Sequence, residues 1–597
     1  MFRFAVFVGE ELEISSLAER LEASSLNWLA VYAGPRVRVL CRGIRARSNE
    51  VYALAGGAGI ILGKLFETGR TGEPHRHAPL AIEANESRAI CASAGRRLIS
   101  HYWGRYVAVL CPDCLHGATC IVRSPGVALP CLRLRVGNAF VYVSSMEDGA
   151  QVLNHPPTVN WDYVAAWLSA RVNGHATMLR EVEQLLAGEC EVIHDGLATR
   201  ELYWNPLEIA RKQSVRDVTA AIAHLREAVR AAVRAWASCY DRILLALSGG
   251  LDSSIVAACL RDAPMRPSVT CFNHYVPGPA SDEREFAQAA ADAAGLPLLI
   301  LPRDPQTDLR PIARVQRVAK LWNLIHSAEL GGTEFELASS TRADAIMTGE
   351  GGDQVFFQAR GALAAGDYLR RRGMRPGFFK VAFDGARMDG ESLWRVLGQA
   401  LRAQLPGQAW SPERDAGGTR TLLSSDALES VRRGRLTGHP WLTSSVGAPS
   451  GARWHAAMLL AERPYYDPLW PDANLPDPIA PLLSQPVIEA ALCPTYLHID
   501  TGWDRSVARR AFERELPEAI VARRAKGDFE DHARSMRLHN LDFMREILFG
   551  GALVRHQIID RTRLSAALSR GPSASESENL ELYDCLSAEV LVRPWIA

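Results

Sequence analysis

The chain has 597 residues, which is enough for two to four domains with hydrophobic cores. Lys plus Arg and Asp plus Glu both number 67, so the overall charge favours neither nucleic acid nor an anionic membrane as a partner. The start of the chain lacks the apolar run of a secretory signal, and residues 51–63 are too few and too rich in Gly to span a bilayer. We therefore expect a cytoplasmic protein that binds no membrane and no nucleic acid.

Residues 1–205 are predicted to form one strand-rich, layered domain. Short runs of alternating apolar and polar residues are separated by Gly, Pro, Asn and Asp, which is typical of strands joined by turns. The predicted strands are residues 2–8, 27–34, 37–43, 106–111, 119–124, 132–137 and 139–145.

The twelve cysteines are scattered, which fits buried thiols in a reducing compartment better than a disulfide framework. They form one cluster, which contains Cys111, Cys114, His116 and Cys120. These residues could supply a tetrahedral zinc site. Their spacing is compressed and no second Cys-x-x-Cys follows, so a turn between two strands is the favoured interpretation.

Residues 206–597 are predicted to form a second domain with a parallel, doubly wound sheet. Strands and helices alternate from residue 215 onwards, and a Gly-rich turn follows the first strand directly. Residues 360–470 are predicted to be mainly helical, and residues 505–524 to form a basic helical segment. The predicted strands are residues 243–247, 268–276 and 296–301 with a strand and turn at 344–352, and the predicted helices are 215–238, 283–295 and 326–342.

The first motif that carries chemistry is SGGLDSS, residues 248–254. Two glycines after a buried strand let the backbone approach a phosphate, and helix-start amides with Ser hydroxyls can donate to its oxygens. Phosphate would repel Asp252 unless a cation lay between them, so we assign Asp252 to Mg²⁺. The alternative is a tight turn with Asp252 as a helix cap. The predicted ATP-binding residues of this region are Leu247, Ser248, Gly249, Gly250, Asp252, Ser253 and Ser254.

The second motif is TGEGGD, in which Thr348 and Gly349 complete the predicted ATP site. It follows a later strand of the same sheet, so it should face the first loop across the crevice where such sheets bind ligands. Asp353 could then share the metal with Asp252. Glu350 could orient or deprotonate an incoming amine, although a solvated turn carboxylate is the alternative.

The third motif is RRAKG, residues 523–527. Lys526 could bring a compact positive charge to a pyrophosphate or to a developing oxyanion. A solvated basic surface is the alternative for such a cluster. The position of Lys526 after the other two motifs favours a catalytic role.

Together, the three motifs in this order resemble those of the asparagine synthetase family. The resemblance implies that ATP is split to AMP and pyrophosphate and that nitrogen attacks an acyl-adenylate. It also implies an N-terminal glutaminase-like domain (Ntn-hydrolase-like, α/β/β/α) at 1–205 and an adenine-nucleotide α-hydrolase-like synthetase domain at 206–597. Residues 104–108, 143–145 and 182–204 resemble parts of that glutaminase-type domain.

One departure from the family concerns the source of nitrogen. A glutaminase of this kind needs Cys at its mature N-terminus, where thiol and free amine act together. Here residue 2 is Phe2, and the first cysteine is Cys41. We therefore expect no release of ammonia from glutamine. Nitrogen must come from free ammonia or from an amine on the substrate, and the second option describes ring closure.

Beta-lactam synthetases and lasso peptide macrolactam synthetases resemble this layout, and the C-terminal third is most similar to lasso peptide cyclases. Glu350 agrees, because beta-lactam synthetases have Tyr at that place. Gln354 after Asp353 departs from the family's usual SDE, so no acidic residue follows the aspartate. The residues that carry the resemblance are 481–489, 494–496, 504–505, 509–512, 516–517 and 526–527.

This resemblance implies a linear precursor peptide whose N-terminal amine is joined to an internal Asp or Glu side chain, with ATP and Mg²⁺ as cofactors. It also implies two partners, a leader-processing protease and a leader-binding protein. An ammonia-dependent asparagine synthetase, or a small-molecule amide ligase similar to beta-lactam synthetases, is the alternative enzyme. A nucleotide-binding scaffold without catalysis and a tRNA thiolation enzyme are further alternatives, and the neutral charge disfavours the latter.

Overall fold

The structure is a computed structural model. It describes residues 1–597 except 25, 70–80, 112–116, 127–128, 172–173, 214, 216, 279–280, 359–360, 406–420, 434–437, 444–447, 461–468, 470–474, 525–526, 528, 571–574 and 597.

In the described part of residues 1–205, twelve strands form two antiparallel sheets. The first sheet has the strand order β10-β8-β9-β1-β3-β2 and the second β12-β11-β7-β6-β5-β4. All seven strands predicted in this region are present. The strands are β1 (Arg3–Val8), β2 (Leu29–Gly34), β3 (Val37–Arg42), β4 (Glu50–Ala53), β5 (Gly59–Glu67), β6 (Tyr102–Leu110), β7 (Thr119–Arg123), β8 (Leu132–Val136), β9 (Ala139–Val143), β10 (Val182–Gln184), β11 (Glu189–His194) and β12 (Leu197–Leu202).

These two sheets pack face to face, with helices on their outer faces. In β1, Phe4 and Val6 point into the core between the sheets, while Ala5 and Phe7 pack outward against a helix. This period of two is what a strand buried on both faces requires. The predicted α/β/β/α arrangement is confirmed. The helices of this part are α1 (Glu11–Glu22), α2 (Ala84–Ala92), α3 (Arg96–His101), α4 (Met146–Val152) and α5 (Trp161–Ala170).

A five-stranded parallel sheet forms the centre of the second part of the chain, with the order β15-β14-β13-β16-β17. Helices cover both of its faces: Ile243 of β13 packs with α7 and α8, whereas Leu244 packs with Ala338 of α10. The predicted doubly wound sheet is confirmed. Its strands are β13 (Arg242–Ala246), β14 (Ser268–Tyr275), β15 (Leu298–Pro302), β16 (Ala345–Thr348) and β17 (Asp477–Ile479), and the helices up to β16 are α6 (Pro206–Lys212), α7 (Val218–Ala237), α8 (Leu251–Arg261), α9 (Arg284–Ala294) and α10 (Ile325–Thr341).

The described residues after β16 are mainly helical, as predicted for 360–470. No helix among them or elsewhere in the described chain is long and apolar enough to cross a bilayer. The helices are α11 (Gly352–Val355), α12 (Gly361–Arg372), α13 (Pro376–Asp389), α14 (Leu393–Arg402), α15 (Ser425–Arg433), α16 (Pro440–Thr443), α17 (Ser450–Met458), α18 (Gln485–Ala491), α19 (Ser506–Phe512), α20 (Glu518–Val521), α21 (Glu530–His539), α22 (Leu541–Phe549), α23 (Ala552–Arg555), α24 (Arg561–Ser569) and α25 (Glu576–Val592). Short 3₁₀ helices lie at Ala55–Gly57, Arg310–Arg314, Pro481–Leu483, Thr495–Gly502 and Arg593–Trp595.

The prediction of one helical segment over residues 505–524 is wrong. Helix α19 ends at Phe512, and α20 begins after Pro517. Proline disfavours helical backbone at the residue before it and has no N–H to donate, so the basic periodicity cannot continue through Leu516 and Pro517. Two short helices therefore replace one long helix.

The two parts of the chain share their cores. Trp236 of α7 packs edge to face against Phe66 of β5, with ring centroids 5.0 Å apart. Helix α25 belongs to the same apolar cluster as β1 and α1. The predicted boundary at residue 205 lies between β12 and α6, but it remains a prediction, because both parts contribute side chains to common cores.

Arg105 is the centre of a buried polar junction between the two parts. It donates from Nη1 to the carbonyl of Pro478 (3.1 Å) and from Nη2 to Asn49 Oδ1 (3.3 Å). Its Nη2 lies 4.0 Å from Asp477 Oδ2, which also accepts hydrogen bonds from Asn49 (2.8 Å) and Tyr240 (3.1 Å). Arg105 and Asp477 are both only 1% exposed. The junction therefore connects the second antiparallel sheet to the edge strand of the parallel sheet.

Arg105→Met is expected to lower the free energy of unfolding by about 3 kcal/mol, because it removes a buried guanidinium beside Asp477 together with its hydrogen bonds to Asn49 and the Pro478 carbonyl. Arg47→Met is the control. Arg47 also crosses between the two parts, bonding Asp241 at 2.8 Å, but Asp241 is exposed, so the expected loss is below about 1 kcal/mol. Urea unfolding followed by fluorescence gives both values. Equal losses for the two variants would contradict this account of the junction.

Candidate active site

The first two sequence motifs meet at one edge of the parallel sheet. Strands β13 and β16 are parallel neighbours, with Ala246 opposite Thr348 at their carboxyl ends. From β13 the chain runs outward through β14 to β15, then crosses back to β16 on the other side of β13. Such a reversal of strand order opens a crevice at the carboxyl ends of the strands, where open α/β sheets bind ligands.

The first loop, residues 248–250, is built to approach an anion. Gly249 has a φ of 73°, and a Cβ there would lie 2.4 Å from the backbone nitrogen of Ala287, so only glycine fits. The hydroxyls of Ser248 and Ser253 lie 3.2 Å apart, and Gly250 N–H donates to Ser248 Oγ (3.3 Å). Helix α8 begins directly afterwards, so its first N–H groups and its dipole point at this loop.

Two buried side chains next to this loop have polar atoms for which the described residues provide no hydrogen-bond partner. They are Ser254 Oγ, in the first turn of α8, and Asn273 Oδ1, at the end of β14. The other end of the Asn273 amide donates to the Leu247 carbonyl (2.9 Å). Buried polar groups in this state are expected to find a partner in a ligand or water. This fits the predicted ATP site.

The second loop packs directly on the start of α8 through two of its glycines. A Cβ at Gly349 would lie 2.4 Å from Ser253 N, and one at Gly352 would lie 2.1 Å from Asp252 Cγ. Both positions therefore exclude any side chain. The sequence predicted that the two loops face each other, and the glycines explain how closely they do so.

Glu350 is half-buried between these glycines, and its N–H donates to Thr348 Oγ1 (3.3 Å). Its carboxylate lies on the loop that faces the first motif, as the sequence predicted. The role assigned to it in amine attack stays a prediction.

Asp252 and Asp353 converge on a single nitrogen atom of Arg505. Arg505 Nη1 donates to Asp252 Oδ2 at 3.0 Å and to Asp353 Oδ1 at 2.7 Å. Arg505 is 5% exposed and Asp252 9%. The two predicted metal ligands are therefore neighbours, and a positive charge lies between them.

Sequence reasoning did not assign Arg505 to the site. It lies 253 residues after Asp252, among other basic residues, and spacing carries no signal over such a distance. A general argument could have pointed to it: two carboxylates brought to one crevice must be paired with a cation.

A second arginine supports Arg505. Asp504 accepts from Arg505 Nε (2.8 Å) and from Arg509 Nη2 (2.9 Å), and Arg509 Nη1 donates to the Val521 carbonyl (2.7 Å). Burial opposes the charge on Arg505, but the carboxylates of Asp252, Asp504 and Asp353 raise its pKa. Arg505 is therefore a permanent cation.

The described residues of the third motif contact the first loop. Arg523 forms an ion pair with Glu283, and its Nη1 lies 3.5 Å from the Gly249 carbonyl. Gly527 N–H also donates to Glu283 Oε1 (2.9 Å). Lys526 itself lies outside the described residues, so its predicted role stays a prediction. Arg523 is a further cation beside the loop that the sequence interpretation did not assign to the site.

His455 packs beneath the short helix that follows the second loop. His455, which is fully buried, donates from Nε2 to the carbonyl of Val355 (3.0 Å), at the end of the short helix that carries Asp353. Burial lowers the pKa of His455 to about 3, so the ring is neutral at physiological pH. The ring of His455 packs on Phe357, which has a φ of 61°. Packing thus fixes the chain just after Asp353.

The two aspartates fit a Mg²⁺ ion by the chemistry of their donors. Mg²⁺ prefers oxygen ligands and is usually bound by one or two carboxylates together with substrate phosphates and water. Within the described residues there is no group of three His, Cys, Asp or Glu side chains that could hold a metal. A site here would therefore need the phosphates of a nucleotide to complete it, which agrees with the adjoining loop.

The cysteine cluster cannot be assessed as a zinc site, because Cys114 and His116 lie outside the described residues. Cys111 is half-buried after β6, and Cys120 is buried in β7. Whether Cys111, Cys114 and Cys120 bind metal, or only flank a turn, stays a prediction.

The described cysteines of the antiparallel strands, Cys41, Cys120 and Cys190, are all buried. Phe2 is fully buried in the core between the two antiparallel sheets. The first cysteine, Cys41, lies opposite Phe4 in the sheet, and burial raises the pKa of its thiol. That thiol is neutral and inaccessible to a substrate.

Comparison with known proteins gives one family. A family model described as asparagine synthase matches residues 224–593. A search of curated proteins found no match.

Two solved structures are similar to parts of the chain. One is titled as the allosteric regulatory enzyme of purine biosynthesis (10% identity, 58% of this chain and 89% of that chain, TM-score 0.22). The other is glutamine phosphoribosylpyrophosphate amidotransferase from B. subtilis complexed with ADP and GMP (11% identity, 58% and 81%, TM-score 0.21).

Gly352→Ala is expected to weaken ATP binding at least about tenfold, because the new Cβ would displace Asp252 or the second loop. The matched control is Gly398→Ala in α14, where a Cβ would meet no described atom within 4 Å. That change should leave ATP affinity unchanged and stabilise the helix slightly. Calorimetric titration with ATP and Mg²⁺ measures both. Wild-type affinity in Gly352→Ala would show that the interlocked loops do not form the nucleotide site.

Proposed function

The chain belongs to the asparagine synthase family, and from that premise we propose that it closes a macrolactam ring in a linear peptide. Membership makes the protein an ATP-dependent, AMP-forming amide ligase. The carboxylate is, in our proposal, an internal Asp or Glu side chain of the peptide. The amine is the N-terminus of the same peptide.

The observation that carries this proposal is the buried Phe2. A glutaminase domain would supply ammonia through a thiol at the N-terminus, and here that position holds an apolar side chain inside the sandwich. The attacking nitrogen must then arrive free in solution or as part of the substrate. An amine within the substrate is favoured by entropy, because holding both ends of one peptide in the crevice makes closure an effectively first-order step.

In the first half-reaction, an oxygen of the substrate carboxylate attacks the α-phosphorus of ATP. The bond from the α-phosphorus to the bridging oxygen breaks, and pyrophosphate leaves. The loop at 248–250 and the start of α8 would bind the phosphates through N–H and hydroxyl donors. Asp252 and Asp353 are the residues that would hold Mg²⁺, whose charge would neutralise the phosphate oxygens.

In the second half-reaction, the amine nitrogen attacks the acyl carbon of the adenylate, and AMP leaves. The amine must lose a proton as the amide forms, and Glu350, on the loop beside the phosphates, is the proposed base or orienting group. Lys526 is proposed to stabilise the negative charge that develops in both steps. The peptide loses one water in total.

An ammonia-dependent asparagine synthetase is the second candidate function. Glu350 favours it as much as it favours ring closure, because asparagine synthetases also have Glu at this place. The two candidates differ in their substrates: one joins ammonia to aspartate, and the other joins two groups of one peptide.

The direct test incubates the protein with ATP, Mg²⁺ and the peptide encoded by a short open reading frame beside its gene. We expect the mass of the peptide, freed of its leader, to fall by one water while AMP is released, because the ring closes through an adenylate. Mass spectrometry and chromatography of the nucleotides measure both. Asp252→Ala should give no product, and pyrophosphate exchange into ATP that persists in this variant would contradict its role.

Three outcomes would overturn the proposal. Asparagine formed from aspartate and ammonia would establish the second candidate. Pyrophosphate release with neither peptide nor aspartate, across a panel of carboxylates, would indicate another amide ligase. No pyrophosphate release with any substrate would indicate a scaffold that has lost catalysis.

Lys526→Ala is expected to slow turnover at least about a hundredfold while changing ATP affinity less than about threefold, because its charge is needed where negative charge develops. Rapid-quench turnover and calorimetric titration with ATP separate the two effects. Arg524→Ala is the neighbouring control, since the Arg524 guanidinium packs over the ring of Trp503. An unchanged turnover rate in Lys526→Ala would show that Lys526 is only a surface charge.

A further inference from the structure

We propose that Arg505 is the counter-cation of Asp252 and Asp353 in the metal-free enzyme, and that Mg²⁺ binds in competition with it. The inference rests on the proposed role of the two aspartates as metal ligands, but it does not depend on the identity of the substrate. It assigns Arg505 as a positioning residue of the site.

Arg505 Nη1 occupies the space between the two aspartates. One nitrogen, Nη1, lies 3.0 Å from Asp252 Oδ2, 3.3 Å from Asp252 Oδ1 and 2.7 Å from Asp353 Oδ1. A Mg²⁺ ion that bridges the same carboxylates would lie about 2.1 Å from an oxygen of each. The ion and the guanidinium would therefore compete for the same space between the aspartates.

The positive charges of Mg²⁺ and of the Arg505 guanidinium also oppose simultaneous binding at the aspartates. A divalent ion and a guanidinium only a few ångströms apart repel strongly in a site that excludes most water. Arg505 is 5% exposed, and an arginine side chain in a protein does not relieve such repulsion by losing its proton. Mg²⁺ can thus bind both aspartates only if Nη1 moves away.

Asp504 can hold Arg505 while Mg²⁺ replaces Nη1 at the two aspartates. Its Nε donates to Asp504 at 2.8 Å, and Asp504 is held in turn by Arg509. This contact does not involve either metal ligand, so it can keep the guanidinium at the crevice after Nη1 is released. A planar guanidinium placed there is suited to bind phosphate oxygens.

The backbone of Arg505 also sets it apart. It has a φ of 52° and lies immediately before α19, in the left-handed region that residues with side chains rarely adopt. Its side chain forms ion pairs with three aspartates. A residue held in this way by its partners is expected to respond when one set of partners is taken by a metal.

The test measures Mg²⁺ binding without nucleotide or peptide. Wild type, Arg505→Met and Arg509→Met are unfolded by heat over a series of Mg²⁺ concentrations, at constant ionic strength. Arg505→Met should unfold at a lower temperature than wild type without Mg²⁺, because the guanidinium that lies between the two carboxylates is lost. Mg²⁺ should restore its stability, and the concentration for half the effect should be at least tenfold lower than for wild type.

Arg509→Met is the matched control. Arg509 is equally buried and bonds the same Asp504, but it contacts neither metal ligand in the described hydrogen bonds. It should lose stability, with a much smaller change in the Mg²⁺ concentration for half the effect than Arg505→Met, because Arg505 stays between the two aspartates. Asp353→Asn combined with Arg505→Met should remove the Mg²⁺ response, which shows that the ion binds at this site.

Equal Mg²⁺ dependence in wild type and Arg505→Met would overturn the inference, and so would a response that survives the Asp353 change. If Arg505→Met does not fold, Arg505→Lys gives the same comparison, with a half-effect concentration between those of wild type and of a neutral residue. Ring closure with unchanged Mg²⁺ dependence would refute this inference alone. The expected Mg²⁺ response without any amide product would refute the proposed function alone.

Discussion

Two carboxylates that are brought together at a half-buried crevice repel each other, and this repulsion must be balanced by a cation. The fold brings the two carboxylates together, because Asp252 and Asp353 follow neighbouring parallel strands and meet where the strand order reverses. Arg505 balances it in the structure. The loop at 248–250, the glycines that pack on the start of α8 and the packing of His455 on the second loop hold these two side chains at one point.

Seven of the twelve strands in the first part, four of the five parallel strands, the helices between them and the meeting of the two loops could be predicted from the sequence, because each depends on local periodicity or on the rule that carboxyl ends of parallel strands share an edge. Strands β4, β5, β10, β11, β12 and β17 were not predicted. What could not be predicted depends on contacts distant along the chain. Arg505 reaches the site from 253 residues away, and no spacing rule covers that. Pro517 interrupts the helix, although the basic periodicity of residues 505–524 continues across it.

The N-terminal part supports the site through its packing. Its inner strands β1 and β6 are buried on both faces, whereas the edge strands β2 and β12 are partly exposed, and its apolar clusters include side chains of α7 and α25. Leu483 shows how this reaches the site: a Cβ at Gly351 would meet its side chain at 2.3 Å, while its carbonyl would lie 2.5 Å from one at Gly126. The sandwich thus supports the loop of Asp353.

We propose that Asp252 and Asp353 share one divalent ion beside the triphosphate. A crystal structure with Mn²⁺ and a non-hydrolysable ATP analogue would locate this ion, because the anomalous signal places the metal independently of the protein coordinates. We expect one anomalous peak about 2.1 Å from a carboxylate oxygen of each aspartate and in contact with phosphate oxygens. A metal bound by neither aspartate, with the triphosphate away from residues 248–254, would contradict it.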